Sequence, residues 1–248
     1  MATAIEFRDV SLQAPDGRLL LDGVNLRLEE GTTTAVLGRS GSGKTTLLRL
    51  VNRMADPSGG TVFIRGKECE QHNPIQLRRG MGYVIQETGL FPHFTVARNV
   101  GMVPELNGKR IDEARIGKLL EQVGLGAGQF SQRYPHQLSG GQRQRVGLAR
   151  ALAADPPILL MDEPFGALDP LTRAEMQDML RALLERLKKT VLLVTHDLDE
   201  ALYLASRIVL LEGGKMVTDV AAEDFLKSEI PAVKAYAEAF HRSQKEPQ

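Results

Sequence analysis

Gly38-Arg39-Ser40-Gly41-Ser42-Gly43-Lys44-Thr45 has the spacing G-x-x-x-x-G-K-[ST]. Glycines so placed let successive backbone N–H groups converge on phosphate oxygens, and a helix beginning at the lysine adds the positive end of its dipole. In that chemistry Lys44 reaches the β- and γ-phosphates, the Thr45 hydroxyl ligates Mg2+, and Thr46 adds a contact to the α-phosphate. The acidic pair Asp162-Glu163 closes the apolar run Ile158-Leu159-Leu160-Met161. A carboxylate at the end of a buried strand is costly unless it faces a cation or water. Asp162 suits the metal, and Glu163 suits a general base that polarises an attacking water. Taken alone, the pair reads equally well as a helix N-cap. Leu138-Ser139-Gly140-Gly141-Gln142 opens a helix through Val146, Ala149 and Leu152. Such a glycine-rich start without a lysine is either an anion site lacking its own cation or a flexible helix cap.

These residues need elements to hold them. Thr33–Leu37 is a short strand-like run before the first loop. Residues 44–54 after it carry Leu47, Leu48, Val51 and Met54 at helical spacing, and Pro57-Ser58-Gly59-Gly60 stops that helix. Residues 5–28 read as strands alternating with turns, with Pro15-Asp16-Gly17 between two apolar stretches. From about 89 to 152 helices follow one another without strong strands; residues 112–123 show Ile116, Leu119, Leu120 and Val123 on one face, ending at Gly124. Residues 158–161 and 191–195 are strand-like again. The helix between them carries Met176, Met179, Leu180, Leu183, Leu184 and Leu187 on one stripe. Asp169-Pro170 supplies its N-cap and first-turn proline, and Lys188-Lys189 suits the negative end of its dipole. The tail after Val220 reads as helical to Phe240 and frayed over 241–248.

Lys and Arg number 31 against 31 Asp and Glu, and this zero net charge argues against a general nucleic-acid binder. Apolar runs stay far below the roughly 20 residues that cross a bilayer. Glu6, Arg8 and Asp9 interrupt the N-terminus where an export signal needs an unbroken apolar stretch. A soluble chain is expected, with any membrane role coming through a partner. The single cysteine, Cys69, lies in the polar stretch Arg65-Gly66-Lys67-Glu68-Cys69-Glu70, excludes a disulfide framework and reads as an incidental thiol. His72, His93, His136 and His241 lack metal-ligand spacing.

The phosphate loop, Gln86, the signature Leu138-Ser139-Gly140-Gly141-Gln142 followed by Arg143-Gln144-Arg145-Val146, Asp162-Glu163, Gly166-Ala167-Leu168-Asp169 and His196 stand in an order that resembles the ATPase subunit of an ABC transporter over nearly the whole chain. The resemblance implies an α/β P-loop NTPase core with an N-terminal antiparallel β subdomain and an inserted helical subdomain. It divides one ABC ATPase domain into a core with β subdomain at 1–88 and 153–220, a helical signature subdomain at 89–152 and a helical tail at 221–248. The cofactors implied are ATP and Mg2+. Residues Gly38 through Thr46 (Arg39, in place of a common proline, projecting from the loop surface) would bind nucleotide in one copy. Ser139, Gly140, Gly141, Gln142 and Asp169 would reach it from a second copy in a head-to-tail homodimer. Thr45, Gln86 and Asp162 would serve the metal, Glu163 the water, and His196 the γ-phosphate.

Residues 83–96, with Asn99 and Pro104 beyond, look most like the glycine betaine/carnitine/choline uptake group. The resemblance then implies transmembrane permease subunits as partners, a solute-binding protein indirectly, and a place on the cytoplasmic face of the membrane. Larger members add regulatory CBS domains, which 248 residues leave no room for. Leu90, Phe91, Pro92 and Phe94 in a loop setting suggest the permease docking surface; the alternative is that they seal the helical insert. Ala14 stands where most members carry an adenine-stacking aromatic, so weaker and less base-selective binding is expected unless another residue or the neighbouring chain supplies a ring. Arg143, Arg145 and Arg150 are expected in local ion pairs rather than on a nucleic-acid face. Alternative functions are import of another small polar solute, a nucleotide-gated clamp on nucleic acid or the ribosome, and a catalytically silent regulatory subunit. The short insert and single ATPase unit oppose the clamp, and intact Lys44, Glu163 and His196 oppose the silent subunit.

Overall fold

The computed structural model describes residues 2–86 and 88–245. The chain forms two compact units, one built from residues up to Leu77 and from Thr190 onward, the other from Arg78 to Lys189.

In the first unit β1 (Thr3–Gln13), β2 (Leu19–Glu29), β4 (Gly59–Ile64) and β5 (Lys67–Glu68) form an antiparallel sheet in the order β2-β1-β4-β5. Ile5, Phe7, Leu26, Leu28, Val62 and Ile64 bury its inner face, at the period of two that pleated strands require. The same unit holds β3 (Thr33–Leu37), β8 (Thr190–Val194), β9 (Arg207–Glu212) and β10 (Lys215–Ala221), ordered β10-β9-β3-β8. β3 runs parallel to both neighbours, pairing Thr33 with Val191 and Leu37 with Leu210. Every residue of β8 is buried, which is why it reads as a continuous apolar run rather than an alternating one. Around these strands lie α1 (Lys44–Val51), α8 (Leu198–Leu204), α9 (Ala222–Phe225) and α10 (Pro231–Lys245). α2 (Pro74–Arg79) lies where the chain passes from one unit to the next.

The second unit contains the parallel pair β6 (Met81–Val84) and β7 (Ile158–Asp162), with Met81 opposite Ile158 and Val84 opposite Met161. Its helices are α3 (Val96–Leu106), α4 (Glu113–Gln122), α5 (Ala127–Phe130), α6 (Gly140–Leu152) and α7 (Pro170–Leu187). Asp112 and Asp169 cap α4 and α7 by accepting from Arg115 N and Thr172 N, which spares N-terminal amides that would otherwise lack partners. α6 comes so close to β6 that a Cβ on Gly82 would stand 2.6 Å from the Ala151 carbonyl oxygen.

Two expectations need correction. α1 ends at Val51 rather than Met54, because Arg53 turns left-handed (φ 54) and Met54 N–H returns to the Arg49 carbonyl, leaving the Met54 side chain 59% exposed. The last helix runs on to Lys245, since residues 241–245 contain no glycine or proline to stop it; 246–248 lie outside the described residues. Cys69, within its polar stretch of sequence, is buried, its thiol 3.6 Å from the carbonyls of Leu50 and Val51. Burial pushes that thiol up to about 11. No helix among the described residues is long and apolar enough to cross a membrane.

Candidate functional site

The glycine-rich loop leaves β3 and enters α1 within the first unit. Gly38, Gly41 and Gly43 have φ of 155, 78 and 102, a region that disfavours side chains. A Cβ on Gly38 would meet the Leu211 carbonyl oxygen at 2.3 Å, and one on Gly43 the Leu20 carbonyl oxygen at 2.7 Å, whereas Gly41 faces open space. Two of the three glycines are therefore required by close backbone packing and the third borders room for a ligand. The Lys44 ammonium is buried and donates to the carbonyls of Gly38 (2.8 Å) and Arg39 (3.0 Å). No side chain caps α1. The Ser42 hydroxyl is buried without a hydrogen-bond partner among the described residues. An uncapped helix start, an orphaned hydroxyl and a lysine ammonium form a donor set that fits a phosphate chain. Thr45 and Thr46 are half-buried on the first turn, and Arg39 and Ser40 are exposed.

His196 follows β8 in the same unit and is exposed. Its neighbours are fixed: Thr195 Oγ1 donates to Glu200 Oε2 at 3.0 Å, Asp197 N donates to Thr195 Oγ1 at 3.0 Å, and Asp197 caps α8. The His196 carbonyl accepts from the Tyr236 hydroxyl of α10 at 2.9 Å. Ala14 lies in the β1–β2 turn, where its N–H donates to the Arg18 carbonyl and its carbonyl accepts from Gly17 N–H.

In the second unit Asp162 is the last residue of β7 and Glu163 follows in a left-handed conformation, φ 45. The Gln86 amide nitrogen and a Glu163 carboxylate oxygen lie 3.5 and 3.7 Å from where a Cβ on Gly166 would stand. The structure thus brings these two predicted residues around one glycine. Neither Asp162 nor Glu163 caps a helix; the cap after β7 is Asp169. Hydrogen bonds from Thr172, its side chain first, hold the Asp169 carboxyl below the usual carboxylate range.

The Leu138-to-Gln142 stretch does form a helix cap. Ser139 Oγ accepts from Gln142 N and Gln142 Oε1 accepts from Ser139 N, the reciprocal capping box. This does not use up the Ser139 hydroxyl hydrogen, which remains a donor. Gly141 lies against α7, where a Cβ would come 2.4 Å from Thr172 Cγ2. Of the three arginines of α6, Arg145 makes the expected ion pair and Arg143 and Arg150 depart from expectation. Arg143 donates to the Leu138 carbonyl, Arg145 to Val123, and Arg150 to Thr88 and Gly89; among the described residues only Arg145 of the three adds an ion pair, to Glu175 at 3.8 Å. Carbonyls serve as partners because these half-buried side chains reach backbone oxygens, which need donors once out of water. Burial lowers the Arg150 guanidinium from its ordinary value.

Residues 91–95 form an aromatic turn: Phe94 packs 5.3 Å from Phe91 and 4.4 Å from His93, with the Arg98 guanidinium 3.9 Å over the Phe94 ring. Asn99, fully buried on α3, holds the turn from beneath. It accepts from Phe91 N and donates to the carbonyls of Phe91, Phe94 and Thr95. Sequence spacing flagged Asn99 but not this work; a lone amide among the buried residues of α3 was the available signal. Tyr236 had none.

A parallel α/β unit with a phosphate-fitting loop at the end of β3 defines a P-loop nucleotide-binding protein. The profile of the ABC transporter family matches residues 21–166, and this chain belongs to that family. It is 45% identical over 228 residues to the choline transport ATP-binding protein OpuBA of Bacillus subtilis (strain 168), covering 90% of this chain and 59% of that one. It is 48% identical over 216 residues to the glycine betaine uptake system ATP-binding protein YehX of Escherichia coli (strain K12), covering 86% and 69%. The chain thus spans about three-fifths of the length of OpuBA. The dimeric post-hydrolysis ATP-binding cassette MJ0796, bound to ADP and Pi, superposes with a TM-score of 0.79 at 33% identity, covering 88% of this chain and 98% of that one.

Proposed function

We propose that this chain is the ATP-binding and ATP-hydrolysing subunit of a membrane importer for choline- or glycine-betaine-type quaternary amines. The observation that supports the catalytic part is that the Gln86 amide and the Glu163 carboxylate both flank Gly166, a carboxamide and a base beside one glycine beyond a strand end. The names of OpuBA and YehX support the solute class.

In this reading the Gly38–Thr46 loop binds the triphosphate through backbone amides, and Lys44 offsets the charge that builds on the transferring phosphoryl oxygens. Thr45, Gln86 and Asp162 would hold Mg2+, which when bound supplies positive charge to the phosphate oxygens. Glu163 accepts the proton of the attacking water while Gln86 orients it. His196 meets the γ-phosphate. A second copy, as in the dimeric MJ0796 cassette, presents Ser139 as a hydroxyl donor at the start of α6, with Gly140, Gly141 and Gln142 beside it, and Asp169 links the two copies. Residues 89–152 act as the helical signature subdomain. Permease subunits place the chain on the cytoplasmic face of the membrane, and a solute-binding protein delivers to them.

Two tests apply. The purified chain should hydrolyse Mg-ATP, and Ala14→Tyr should tighten ATP about tenfold and raise its preference over GTP, since base–aromatic stacking is worth about 1–3 kcal/mol. Equal titration curves for the two proteins would mean that another ring already holds the base. With permease subunits co-expressed, Leu90→Ser with Phe94→Ser should shift the chain out of the membrane fraction while its unfolding midpoint stays within a few degrees. Undiminished membrane recovery would leave the aromatic turn as a seal within its own unit.

A further inference from the structure

β8 delivers His196 at its end, and the peptide on either side is fastened from within: Thr195 to Glu200, and Asp197 to α8. The His196 side chain is exposed, and the peptide that joins it to Asp197 is held at its N–H by Thr195 Oγ1 at 3.0 Å. Tyr236, half-buried on α10 and 40 residues on, donates to its carbonyl at 2.9 Å. α10 is seated by Val233, 1% exposed. Tyr236 also lines a cavity of about 250 Å3 together with Ser40, Gly41 and Ser42 of the phosphate loop. One side chain of the last helix therefore contacts the backbone of His196 and shares a cavity with the loop that fits phosphate.

We infer that Tyr236 is a positioning residue, which orients the His196 imidazole by holding the His196 carbonyl. The proposal rests on the reading that His196 meets the γ-phosphate. With Thr195 holding the N–H of this peptide and Tyr236 its carbonyl, the two bonds together fix the His196 ψ, and catalysis depends on placing such groups to within a fraction of an ångström. The hydroxyl's hydrogen is engaged by the His196 carbonyl, so on this proposal its loss should lower kcat and spare KM.

The chain has one His-Asp step, His196-Asp197, so 13C-carbonyl histidine with 15N-aspartate labelling gives a single carbonyl–amide cross-peak without any nucleotide. In Tyr236→Phe that cross-peak should move, kcat for Mg-ATP should fall roughly three- to tenfold, the loss expected for one hydrogen bond, and KM and the unfolding midpoint should hold. An unmoved cross-peak overturns the inference. So does a moved one with unchanged kcat, or with a change confined to KM. If the unsubstituted chain hydrolyses no ATP, the proposed function falls instead, and the cross-peak alone still decides whether Tyr236 holds His196.

Discussion

Glu163→Gln is expected to bind ATP, to persist as an ATP-held dimer, and to release phosphate about 10^2- to 10^4-fold more slowly, the range that a positioned general base commands. The substitution keeps the shape of the side chain and removes only its capacity to take a proton. Glu163 holds a left-handed φ of 45, which costs a residue with a Cβ about 1–2 kcal/mol. Strain of that kind persists where the surroundings impose it, often at reacting groups. Single-turnover phosphate release, with size exclusion in ATP, separates the two effects. Undiminished release would remove Glu163 as the base.

Asn99→Ala should produce the largest loss of structure. It deletes every hydrogen bond of a fully buried side chain, whose two N–H donors are shared among three carbonyls, and takes that partner from the Phe91 N–H and the Phe94 carbonyl, while the Phe91 and Thr95 carbonyls keep the N–H groups of Phe94 and Asn99. With about 1–3 kcal/mol for each buried group left unsatisfied, partly offset by water entering the turn, a destabilisation of roughly 3–5 kcal/mol is expected. Hydrogen exchange should show the Phe91 amide losing protection first, because the Asn99 side-chain oxygen is its acceptor. Full protection of that amide in the variant would mean that the turn is held by its rings instead.

The two predictions differ in how far the sequence exposes them. The phosphate loop is legible because strand, loop and helix are contiguous, so that spacing carries the geometry; Glu163 is legible only beside that loop, because its acidic pair alone reads equally well as a helix N-cap. β8 and β7 were readable for the same reason, as short apolar runs with sharp ends. The Asn99 staple was only half legible: its acceptors are four to eight residues back, within one turn of chain, yet their direction depends on how that turn folds. The inward course of Arg143, Arg145 and Arg150 was not legible, because a charge pattern reports which partners exist and not which carbonyls a loop leaves open. Tyr236 lies furthest from local signal, its acceptor being 40 residues away. The early end of α1 at Val51 was hidden for another reason. Met54 fits the helical stripe by type, and only the left-handed turn at Arg53 excludes it.

The burial of Cys69 bears on chemistry outside the nucleotide cycle. Oxidants and electrophiles attack thiolates, and a sulfur raised to about 11 and enclosed beneath α1 presents almost none at neutral pH. Peroxide or glutathione disulfide should therefore leave the folded chain unmarked at its one cysteine.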